Sequence, residues 1–360
     1  MNQLLTLALM EGDGIGPEIS AATREVLQAA DTIFELGLQF REIAVGFAAL
    51  EQTGSTFPEA AIDIARECDG IILGPVSHND YPPRDQGGLN PSAELRKRLA
   101  LYANIRPART QAGIVPPCGK QFDLIIVREN TEGFYADRSM HYGIGEFMPT
   151  PDLAMSLRKI TRDASTRISE AAFALAASRR GKVSVVHKAN VLRVSDGLFL
   201  ECARAVSESH PEIDYEERIV DAMCAHLVRD PGVFDVVCTT NMYGDILSDL
   251  ASELAGSLGL ATSLNAGAKH AMAQAQHGSA PDIAGLNVAN PTALIGSAAM
   301  LLRWLGEDRQ RPDLMRAAAA IEAALEHTLS DPDQHTADLG GHVGTTSFAQ
   351  LVARALRQPL

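Results

Sequence analysis

Three aspartates in two segments of the chain have the chemistry of a metal site. Asp245 and Asp249 are four residues apart in the segment GDILSDL, which follows a β-type run and has the apolar spacing of a helix. Their carboxylates should share one face near the start of that helix, and Asp221, in the segment VDAM, could complete a set of oxygen ligands. Carboxylates without histidine or cysteine suit Mg²⁺ or Mn²⁺ rather than zinc. The pair in the helix also fits a cap and a charge that complements the helix dipole. The predicted buried face of this helix carries Ile246, Leu247, Leu250 and Leu254.

Three arginines could supply the positive charge that an anionic substrate needs. Arg96 lies in the segment LRK, Arg106 in NIRP and Arg128 at the end of a β-type run, and we predict a turn at each place. A single arginine is most often solvated surface charge. The planar guanidinium also grips a carboxylate through two hydrogen bonds, so a cluster of arginines would suit a di- or tricarboxylate.

Two further side chains could transfer protons. Lys188 ends an otherwise apolar run, and Tyr135 follows Arg128 after a short turn. Lysine and tyrosine can both act as general acids or bases, although a lone tyrosine is more often an amphipathic packing residue.

Two glycine-containing segments are candidates for holding a nucleotide. Residues 12–18 read GDGIGPE, follow a β-type run and open a helix with Pro17 near its first turn. Their spacing is GxGxG rather than GxGxxG, so the Rossmann fingerprint is not satisfied. The loop HGSAPDIAG at residues 277–285 suits a nucleotide better, because its small residues let the backbone approach a ligand and Asp282 could accept hydrogen bonds from ribose hydroxyls. Taken alone, this loop also fits a surface turn.

The elements that must position these residues alternate along the chain. Short β-type runs at residues 4–10, 70–73, 124–127, 183–186 and 234–238 each end in a polar or glycine-rich turn. Helical stretches, such as residues 19–30 and 168–178, lie between them. The alternation predicts an α/β fold with a largely parallel sheet, in which the chemistry collects beyond the C-terminal ends of the strands.

Length and charge limit the classes of function. A chain of 360 residues with 46% hydrophobic composition exceeds what one core usually spans, so we expect two subdomains. The formal net charge of -14 opposes binding to nucleic-acid backbones and to anionic membranes, so an anionic substrate must meet a local basic cluster. The five cysteines form no CxxC pair, which favours reduced thiols and a cytoplasmic protein. The apolar run at residues 4–10 is too short to span a bilayer and predicts a buried first strand.

Six segments, in order along nearly the whole chain, resemble the isocitrate and isopropylmalate dehydrogenase family of metal-dependent β-decarboxylating dehydrogenases. They are GDGIGPEI (residues 12–19), LRKRLALYANIRPAR (95–109), VRENTEGFYA (127–136), HKANVL (187–192), NMYGDILSDLASELAGSLGL (241–260) and HGSAPDIAGLNVANPTA (277–293). A non-catalytic, regulatory subunit on the same fold is the alternative class. Because Tyr135, Lys188 and the three aspartates are all present, we expect an enzyme.

The resemblance implies a non-Rossmann, isocitrate/isopropylmalate dehydrogenase-like α/β fold with two domains around a mixed, largely parallel sheet. Residues 1–101 and 256–360 would form the dinucleotide-binding domain, and residues 102–255 a middle domain with the dimer interface and a clasp. In relatives, the lysine matching Lys188 and the aspartate matching Asp221 reach into the neighbouring subunit's site. The resemblance therefore implies a homodimer with shared active sites and an inactive monomer.

The resemblance also implies a role for each candidate residue. Arg96, Arg106 and Arg128 would bind substrate carboxylates, and Asp221, Asp245 and Asp249 would bind Mg²⁺ or Mn²⁺. Lys188 would help to remove the hydroxyl proton as hydride leaves for the nicotinamide, and Tyr135 would protonate the enolate carbon after CO₂ loss. The implied contacts to NAD are His277, Gly278, Ser279, Ala280, Asp282, Ile283 and Asn290. Asp282 favours NAD over NADP, because a carboxylate accepts from ribose hydroxyls and repels a 2′-phosphate.

Two features bear on the substrate. Gln274 stands where relatives commonly have a glutamate on the nicotinamide side, and a neutral amide can hydrogen-bond there but brings no charge. Residues 127–133 resemble the isocitrate, homoisocitrate and tartrate branches. Asn90 and Ser92 should face the substrate where isopropylmalate enzymes present leucines. An alkyl group would remove water from these two side chains without replacing the lost hydrogen bonds.

We therefore expect a (2R)-malate-type substrate, meaning isocitrate, homoisocitrate, tartrate or malate, with 3-isopropylmalate as the alternative. Asn90 and Ser92 invert the order of serine and asparagine found in isocitrate enzymes. Malate and tartrate consequently stay open.

Overall fold

The computed structural model describes residues 4–135, 140 and 145–357. These residues form twelve strands: β1 (Leu5–Met10), β2 (Leu38–Glu42), β3 (Gly70–Leu73), β4 (Ala103–Arg109), β5 (Asp123–Glu129), β6 (Glu146–Thr150), β7 (Leu153–Ser156), β8 (Lys182–His187), β9 (Asp214–Ile219), β10 (Val236–Thr239), β11 (Leu264–Ala266) and β12 (Ala271–Gln274). They also form eleven α-helices: α1 (Gly16–Phe34), α2 (Phe47–Thr53), α3 (Glu59–Glu67), α4 (Pro91–Arg98), α5 (Arg162–Ala177), α6 (Ser195–Glu208), α7 (Val220–Arg229), α8 (Asn241–Ala255), α9 (Thr292–Asp308), α10 (Pro312–Leu329) and α11 (Thr345–Ala355).

The predicted elements agree with the structure, and the helices extend further than their apolar spacing indicates. The five predicted strands match β1, β3, β5, β8 and β10 to within two residues at each end. Helix α1 begins at Gly16, because Pro17 has the backbone angle of a first helical turn. Proline has no backbone N–H, and an N–H at that position would have no partner within the helix. Helix α5 begins at Arg162, because the Thr161 hydroxyl caps it by accepting from the Ala164 N–H. Strand β12 was not predicted, since its sequence, AMAQ, lacks β-branched and aromatic residues.

Ten strands form one mixed sheet in the order β2-β1-β3-β12-β11-β4-β5-β10-β8-β9. Both flanks are parallel, but the three central pairs, β12 with β11, β11 with β4 and β4 with β5, are antiparallel. The mixed, largely parallel α/β sheet is thus confirmed. Three successive reversals place the C-terminal ends of β1, β3 and β12 at one edge of the sheet, and those of β5, β10 and β8 at the opposite edge. The segments that follow these strands, where we expect the chemistry to collect, therefore lie at both ends of the strands rather than at one.

Four clusters of buried apolar side chains pack against the faces of this sheet. Two of them consist of residues between 5 and 101 and between 264 and 356. The other two consist of residues between 103 and 255. The partition supports the division of the chain near residues 101 and 255, which stays a prediction.

Helix α8 buries a different face from the one its apolar residues predict. Leu247 is buried with Gly244, Ser248 and Ala251, whereas Ile246 is 52% exposed. Leu250 and Leu254 are only half-buried. Gly244 sits so close to β5 that an added Cβ would lie 2.6 Å from the Cβ of Arg128. Small residues, rather than the largest apolar ones, therefore face the sheet.

Strands β6 and β7 form a separate two-stranded sheet with no buried residue. Phe147, Met148, Leu153 and Met155 are each more than 40% exposed. An isolated two-stranded ribbon is marginally stable in water, so this one needs a further surface to pack on. Of the helices in the described residues, none combines the length and the apolar character needed to cross a bilayer.

Candidate active site

Two of the three predicted arginines lie inside strands rather than in turns. Arg106 is in β4 and Arg128 in β5, and these strands pair so that Asn104 is opposite Arg128. Arg106 is 5% exposed and Arg128 is 2% exposed, so neither is solvated surface charge. Arg96 lies in α4 and is half-buried. The turn predicted for each arginine is wrong, because each is part of a helix or a strand.

Asp245 is the common partner of the two buried arginines, Arg106 and Arg128. Its Oδ1 accepts from Arg128 and, at 3.1 Å, from Arg106, while its Oδ2 accepts from the Tyr135 hydroxyl at 3.3 Å. Burial alone would raise the pKa of Asp245, but the guanidiniums of Arg128, Arg106 and Arg96 lower it below the usual value. The carboxylate is therefore ionised at neutral pH.

Neutral side chains hold the two buried guanidiniums in place. Asn241 Oδ1 accepts from Arg128 Nε at 3.0 Å and from Nη2 at 2.7 Å. Ser248 Oγ accepts from Arg106 Nη1 at 2.7 Å. Burial and the charge of Arg128 lower the pKa of Arg106 to about 10, which keeps it charged at neutral pH. Sequence reasoning missed Asn241 and Ser248; Ser248 is three residues after Asp245, so helical spacing could have found it.

The structure brings together two of the three predicted metal ligands. Asp249 Oδ1 lies 3.5 Å from Arg106 Nη1 on the side of α8 that carries Asp245. Burial and the neighbouring Asp245 raise the pKa of Asp249. Asp221 lies apart and pairs instead with Lys188, whose ammonium lowers the pKa of the Asp221 carboxyl. Within the part of the chain that the structure describes, no three acidic, histidine or cysteine side chains converge on one point.

The residues present fit a divalent cation bound by oxygen. Asp245 and Asp249 are one helical turn apart, and Arg106 reaches both carboxylates, so their oxygens share one space. Mg²⁺ often takes only one or two protein carboxylates and completes its shell with water and substrate. A cation there would also relieve the repulsion that raises the pKa of Asp249.

The turn that carries Tyr135 is held by two buried acids. Glu129 accepts from the backbone N–H groups of Thr131 at 2.8 Å and of Glu132 at 2.9 Å. Glu132 accepts from the Thr161 N–H at 2.8 Å and from its hydroxyl at 2.9 Å. Burial raises the pKa of Glu132. These hydrogen bonds tie the Tyr135 turn to the start of α5.

A buried ion pair, Arg158 with Asp196, supports the Lys188 turn. Asp196 is fully buried and also accepts from the Lys188 backbone N–H at 2.6 Å. The guanidinium of Arg158 donates to Thr240 at 3.0 Å and lies 5.7 Å from the centroid of the Phe134 ring. The pair links the Lys188 turn, the segment before Tyr135 and the start of α8, and nothing in the sequence spacing indicated it.

The glycine-rich segment at residues 12–18 supports the loop at residues 277–285. The Ile15 N–H donates to the Ser279 carbonyl at 2.8 Å, and the Ser77 and Ser279 hydroxyls lie 2.7 Å apart. Gly14 has a φ of +58°, and an added Cβ would lie 2.0 Å from the Ser279 carbonyl oxygen. The glycines thus serve close packing between two loops.

The other residues predicted to contact NAD lie along the 277–285 loop and next to it. Asp282 is exposed in a short turn, Pro281–Ile283, and the backbone of Ala280 is left-handed, with a φ of 39°. Gly278 has open space around it. Burial lowers the pKa of His277, whose Nε2 has no hydrogen-bond partner within the described residues. Asn290 donates to Asp338 at 3.0 Å, so the structure adds Asp338, which sequence reasoning missed, to this surface.

The family described as isocitrate/isopropylmalate dehydrogenase matches residues 6–352 of the chain. The chain belongs to the isocitrate/isopropylmalate dehydrogenase family. Members of this family are decarboxylating hydroxy-acid dehydrogenases that use NAD(P) and a divalent metal.

Three members of the family illustrate the range of likeness. The isocitrate/homoisocitrate dehydrogenase of Thermus thermophilus is 41% identical over 98% of this chain and 98% of its own length. The 3-isopropylmalate dehydrogenase of Sulfurisphaera tokodaii is 39% identical over 94% of this chain and 96% of its own. The crystal structure of isocitrate dehydrogenase from Methylococcus capsulatus superposes with a TM-score of 0.87, covering 99% of this chain and 100% of that one, at 38% identity. The relatives therefore fix the fold and the reaction class but differ in substrate.

The residues predicted to choose among the substrates of the family lie at the start of α4. Asn90 is the N-cap of α4, and its side-chain oxygen accepts from the Ala93 N–H at 3.2 Å. Ser92 is buried and donates to Gln274 Oε1 at 2.9 Å, and Arg96 donates to the same oxygen at 3.1 Å. The structure thus joins Ser92 and Arg96 to Gln274, and it engages the Asn90 oxygen in a cap.

Proposed function

We propose that the chain is a cytoplasmic, homodimeric, NAD-dependent and Mg²⁺- or Mn²⁺-dependent enzyme that oxidises and decarboxylates a (2R)-malate-type hydroxy acid. The observation that carries the proposal is the cluster of Arg106, Arg128 and Tyr135 around Asp245. The five free cysteines support a reducing compartment.

Arg96, Arg106 and Arg128 bind the carboxylates of the substrate. Arg106 and Arg128 are almost fully buried, and a charged hydrogen bond to a carboxylate is stronger in such surroundings than in water. Because Asn241 and Ser248 already orient the two guanidiniums, little ordering remains when the substrate binds.

Asp245 and Asp249 hold the divalent cation together with Asp221 of the partner subunit. When bound, the cation would supply Lewis-acid polarisation of the substrate, and NAD would supply the hydride acceptor. Lys188, in its neutral amine form, takes the hydroxyl proton as the C–H bond breaks. The C–C bond to the leaving carboxylate then breaks, its electrons remain on the substrate as an enolate, and Tyr135 donates a proton to the enolate carbon. Asp245 orients the Tyr135 hydroxyl for that step.

The dimer is supported by apolar surface that the single chain leaves exposed. Ile246 on α8 and Val228 on α7 are 52% and 56% exposed. Strands β6 and β7 have no buried residue. The Lys188–Asp221 pair lies apart from Asp245, as expected if it serves the site of a second copy.

NAD is supported over NADP by the exposed carboxylate of Asp282 in the 277–285 loop. A second candidate function, oxidation of 3-isopropylmalate, is favoured by the likeness to the Sulfurisphaera tokodaii enzyme. The buried hydroxyl of Ser92 beside Arg96 argues for a polar side group instead.

The proposal is tested by NADH production from isocitrate, homoisocitrate, tartrate, (2R)-malate and 3-isopropylmalate with NAD and Mn²⁺. We expect one of the four polar acids to have the highest kcat/KM, and dialysis against a chelator to abolish the activity. Asp245→Asn should also abolish the activity. Asp63→Asn, at an exposed position distant from Asp245 in sequence, is the matched control. Full activity without metal would refute the metal site, and a kcat/KM for 3-isopropylmalate about tenfold above the others would establish the second candidate.

A further inference from the structure

Arg158 is a buried cation two residues after the exposed β6–β7 ribbon. Its side chain is 7% exposed and pairs with Asp196, whose side chain is fully buried. Removing two charges from water costs free energy that their attraction repays only when the geometry is good, so stability alone does not account for such a pair. The backbone beside Arg158 is fixed, because Lys159 and Gly133 exchange two hydrogen bonds, at 2.9 and 2.8 Å.

The two terminal nitrogens of the Arg158 guanidinium have different partners. Nη1 donates to Asp196 Oδ1. Nη2 donates at 3.0 Å to the hydroxyl of Thr240, the residue before α8. The guanidinium carbon also lies 5.3 Å from the centroid of the Tyr243 ring on α8. A planar guanidinium can hold two partners in a fixed arrangement, whereas a lysine ammonium is a single point of charge.

Asp196 connects this guanidinium to Lys188. While its Oδ1 faces Arg158, its Oδ2 accepts from the Lys188 backbone N–H at 2.6 Å. Lys188 directly follows β8, and its ammonium pairs with the exposed Asp221. The start of α8 therefore fixes the Lys188 turn through Thr240, Arg158 and Asp196.

Two other segments that contact Arg158 have supports of their own. Glu129 accepts from two backbone N–H groups of the turn after β5, and Asn241 ties the start of α8 to β5. The Lys188 N–H, by contrast, donates to Asp196, which the guanidinium orients. Loss of the guanidinium should therefore displace Lys188 more than either of these segments.

We infer that Arg158 is a positioning residue that acts through Asp196 on Lys188, and therefore on the active site of the partner subunit rather than on that of its own chain. This inference rests on the proposed function, in which Lys188 serves a second copy. The buried ion pair then links α8 of one subunit, which carries Asp245 and Asp249, to proton transfer at the site of the other.

The test uses hybrid dimers with one complete site, isolated through a different affinity tag on each chain. An Asp245→Asn chain donates Lys188, and a Lys188→Met chain holds the complete metal site. Arg158→Lys keeps a positive charge beside Asp196 but loses the planar guanidinium, and it is introduced into one chain or the other. With NAD, Mn²⁺ and the best of the five acids, we expect kcat to fall about tenfold when Arg158→Lys is in the donating chain. It should change less than about twofold when the substitution is in the other chain, and KM should stay the same in both.

Arg179→Lys is the matched control, because Arg179 Nε pairs with the buried Asp235 at 2.8 Å. Asp235 precedes β10, whereas Thr240 follows it, so this pair lies at the opposite end of the strand. Arg179→Lys should leave the hybrids unchanged. Thr240→Val is a milder variant, because the Thr240 side chain does not cap α8 and its loss removes only the partner of Arg158 Nη2. In the donating chain it should lower kcat about threefold. Thermal midpoints establish that each variant is folded.

Equal losses in the two placements would indicate a general structural role, and no loss in either would show that Lys188 does not depend on Arg158; each result overturns the inference. Inactive hybrids of an active wild type would place Lys188 in the site of its own chain and would also overturn it. If wild type reduces NAD with none of the acids, the proposed function fails, and amide hydrogen exchange decides the inference. The Lys188 N–H should then exchange at least about tenfold faster in Arg158→Lys than in wild type or Arg179→Lys. Equal exchange in all three proteins would refute the hold of Arg158 on Lys188.

Discussion

Asp245 is the residue on which the charges of the candidate site depend. Two almost fully buried guanidiniums would be costly to desolvate without a counter-charge, and Asp245 contacts both. Its pKa is low because of these arginines, and in return its charge raises the pKa of Arg106 against burial. A bound substrate would add carboxylates to this group, which a divalent cation at Asp245 and Asp249 would offset.

The two proposed proton-transfer residues should act at different steps. We expect Lys188→Met to lower the rate of hydride transfer by about 10²-fold or more, and Tyr135→Phe to slow protonation of the enolate after CO₂ loss by a similar factor. Steady-state turnover of 2-deuterated substrate separates the steps: the isotope effect on kcat should grow in Lys188→Met and vanish in Tyr135→Phe. Substrate binding should survive in both, since neither residue is a carboxylate ligand. Wild-type turnover in either variant would remove that residue from the mechanism.

The exposed carboxylate of Asp282 should set the choice of cofactor. We expect Asp282→Lys to shift the ratio of kcat/KM for NADP to that for NAD upward by about 10²-fold, because it exchanges repulsion of the 2′-phosphate for attraction. Asp333→Lys, at an exposed position outside the loop, makes the same change of charge and serves as the control. Equal efficiency of wild type with both cofactors would show that Asp282 does not discriminate between them.

At the scale of elements, two turns hold the nucleotide loop as one packed unit. The turn after β1 donates to Ser279, and Ser77, after β3, contacts the same residue. Asp13 also accepts from the Ser77 N–H at 2.9 Å and from the Phe47 N–H at 2.8 Å. The loop at residues 277–285 thus takes its shape from chain segments more than 200 residues earlier in the sequence.

Gly14→Ala should disrupt this unit. Its φ is +58° and its Cβ would overlap the Ser279 carbonyl, so we expect a loss of about 3 kcal/mol or more in the free energy of unfolding and weaker NAD binding. Gly54→Ala is the matched control, because φ is +77° there and no atom lies within 4 Å of the added Cβ. It should cost only about 1–2 kcal/mol and leave NAD affinity unchanged. Urea unfolding and fluorescence titration with NADH measure both effects, and equal losses would mean that the Ser279 contact contributes nothing.

At the scale of the whole molecule, the proposed dimer makes Lys188 act in trans. Lys188→Met and Asp245→Asn should each be inactive alone. When the two are unfolded together and refolded, half of the dimers are hybrids, and each hybrid has one complete site, so about a quarter of wild-type activity should return. If Lys188 acted within its own chain, no mixture would regain activity. Co-refolding each variant with itself gives the baseline.

Predicting the elements and predicting their assembly were problems of different difficulty. Strands β1, β3, β5, β8 and β10 were predicted because buried parallel strands are continuous apolar runs. Arg106 was placed in a turn because the segment NIRP contains proline, which a central strand rarely accepts. The small residues that α8 turns toward the sheet are not the ones its apolar spacing selects, because a close approach to Arg128 requires Gly244 there.

The sequence by itself determined the family, the α/β class and most of the candidate residues, because the chemistry of a side chain and its neighbours along the chain are local properties. Only the tertiary structure decided which of these residues meet. The antiparallel centre of the sheet sends the C-terminal ends of β12 and β10 in opposite directions, which the sequences of the two strands do not indicate. The same centre brings Arg106, Arg128 and Asp245 together on one face of the sheet. Strand pairing joins residues that are far apart in sequence, and the spacing of residues along one strand does not indicate its partner.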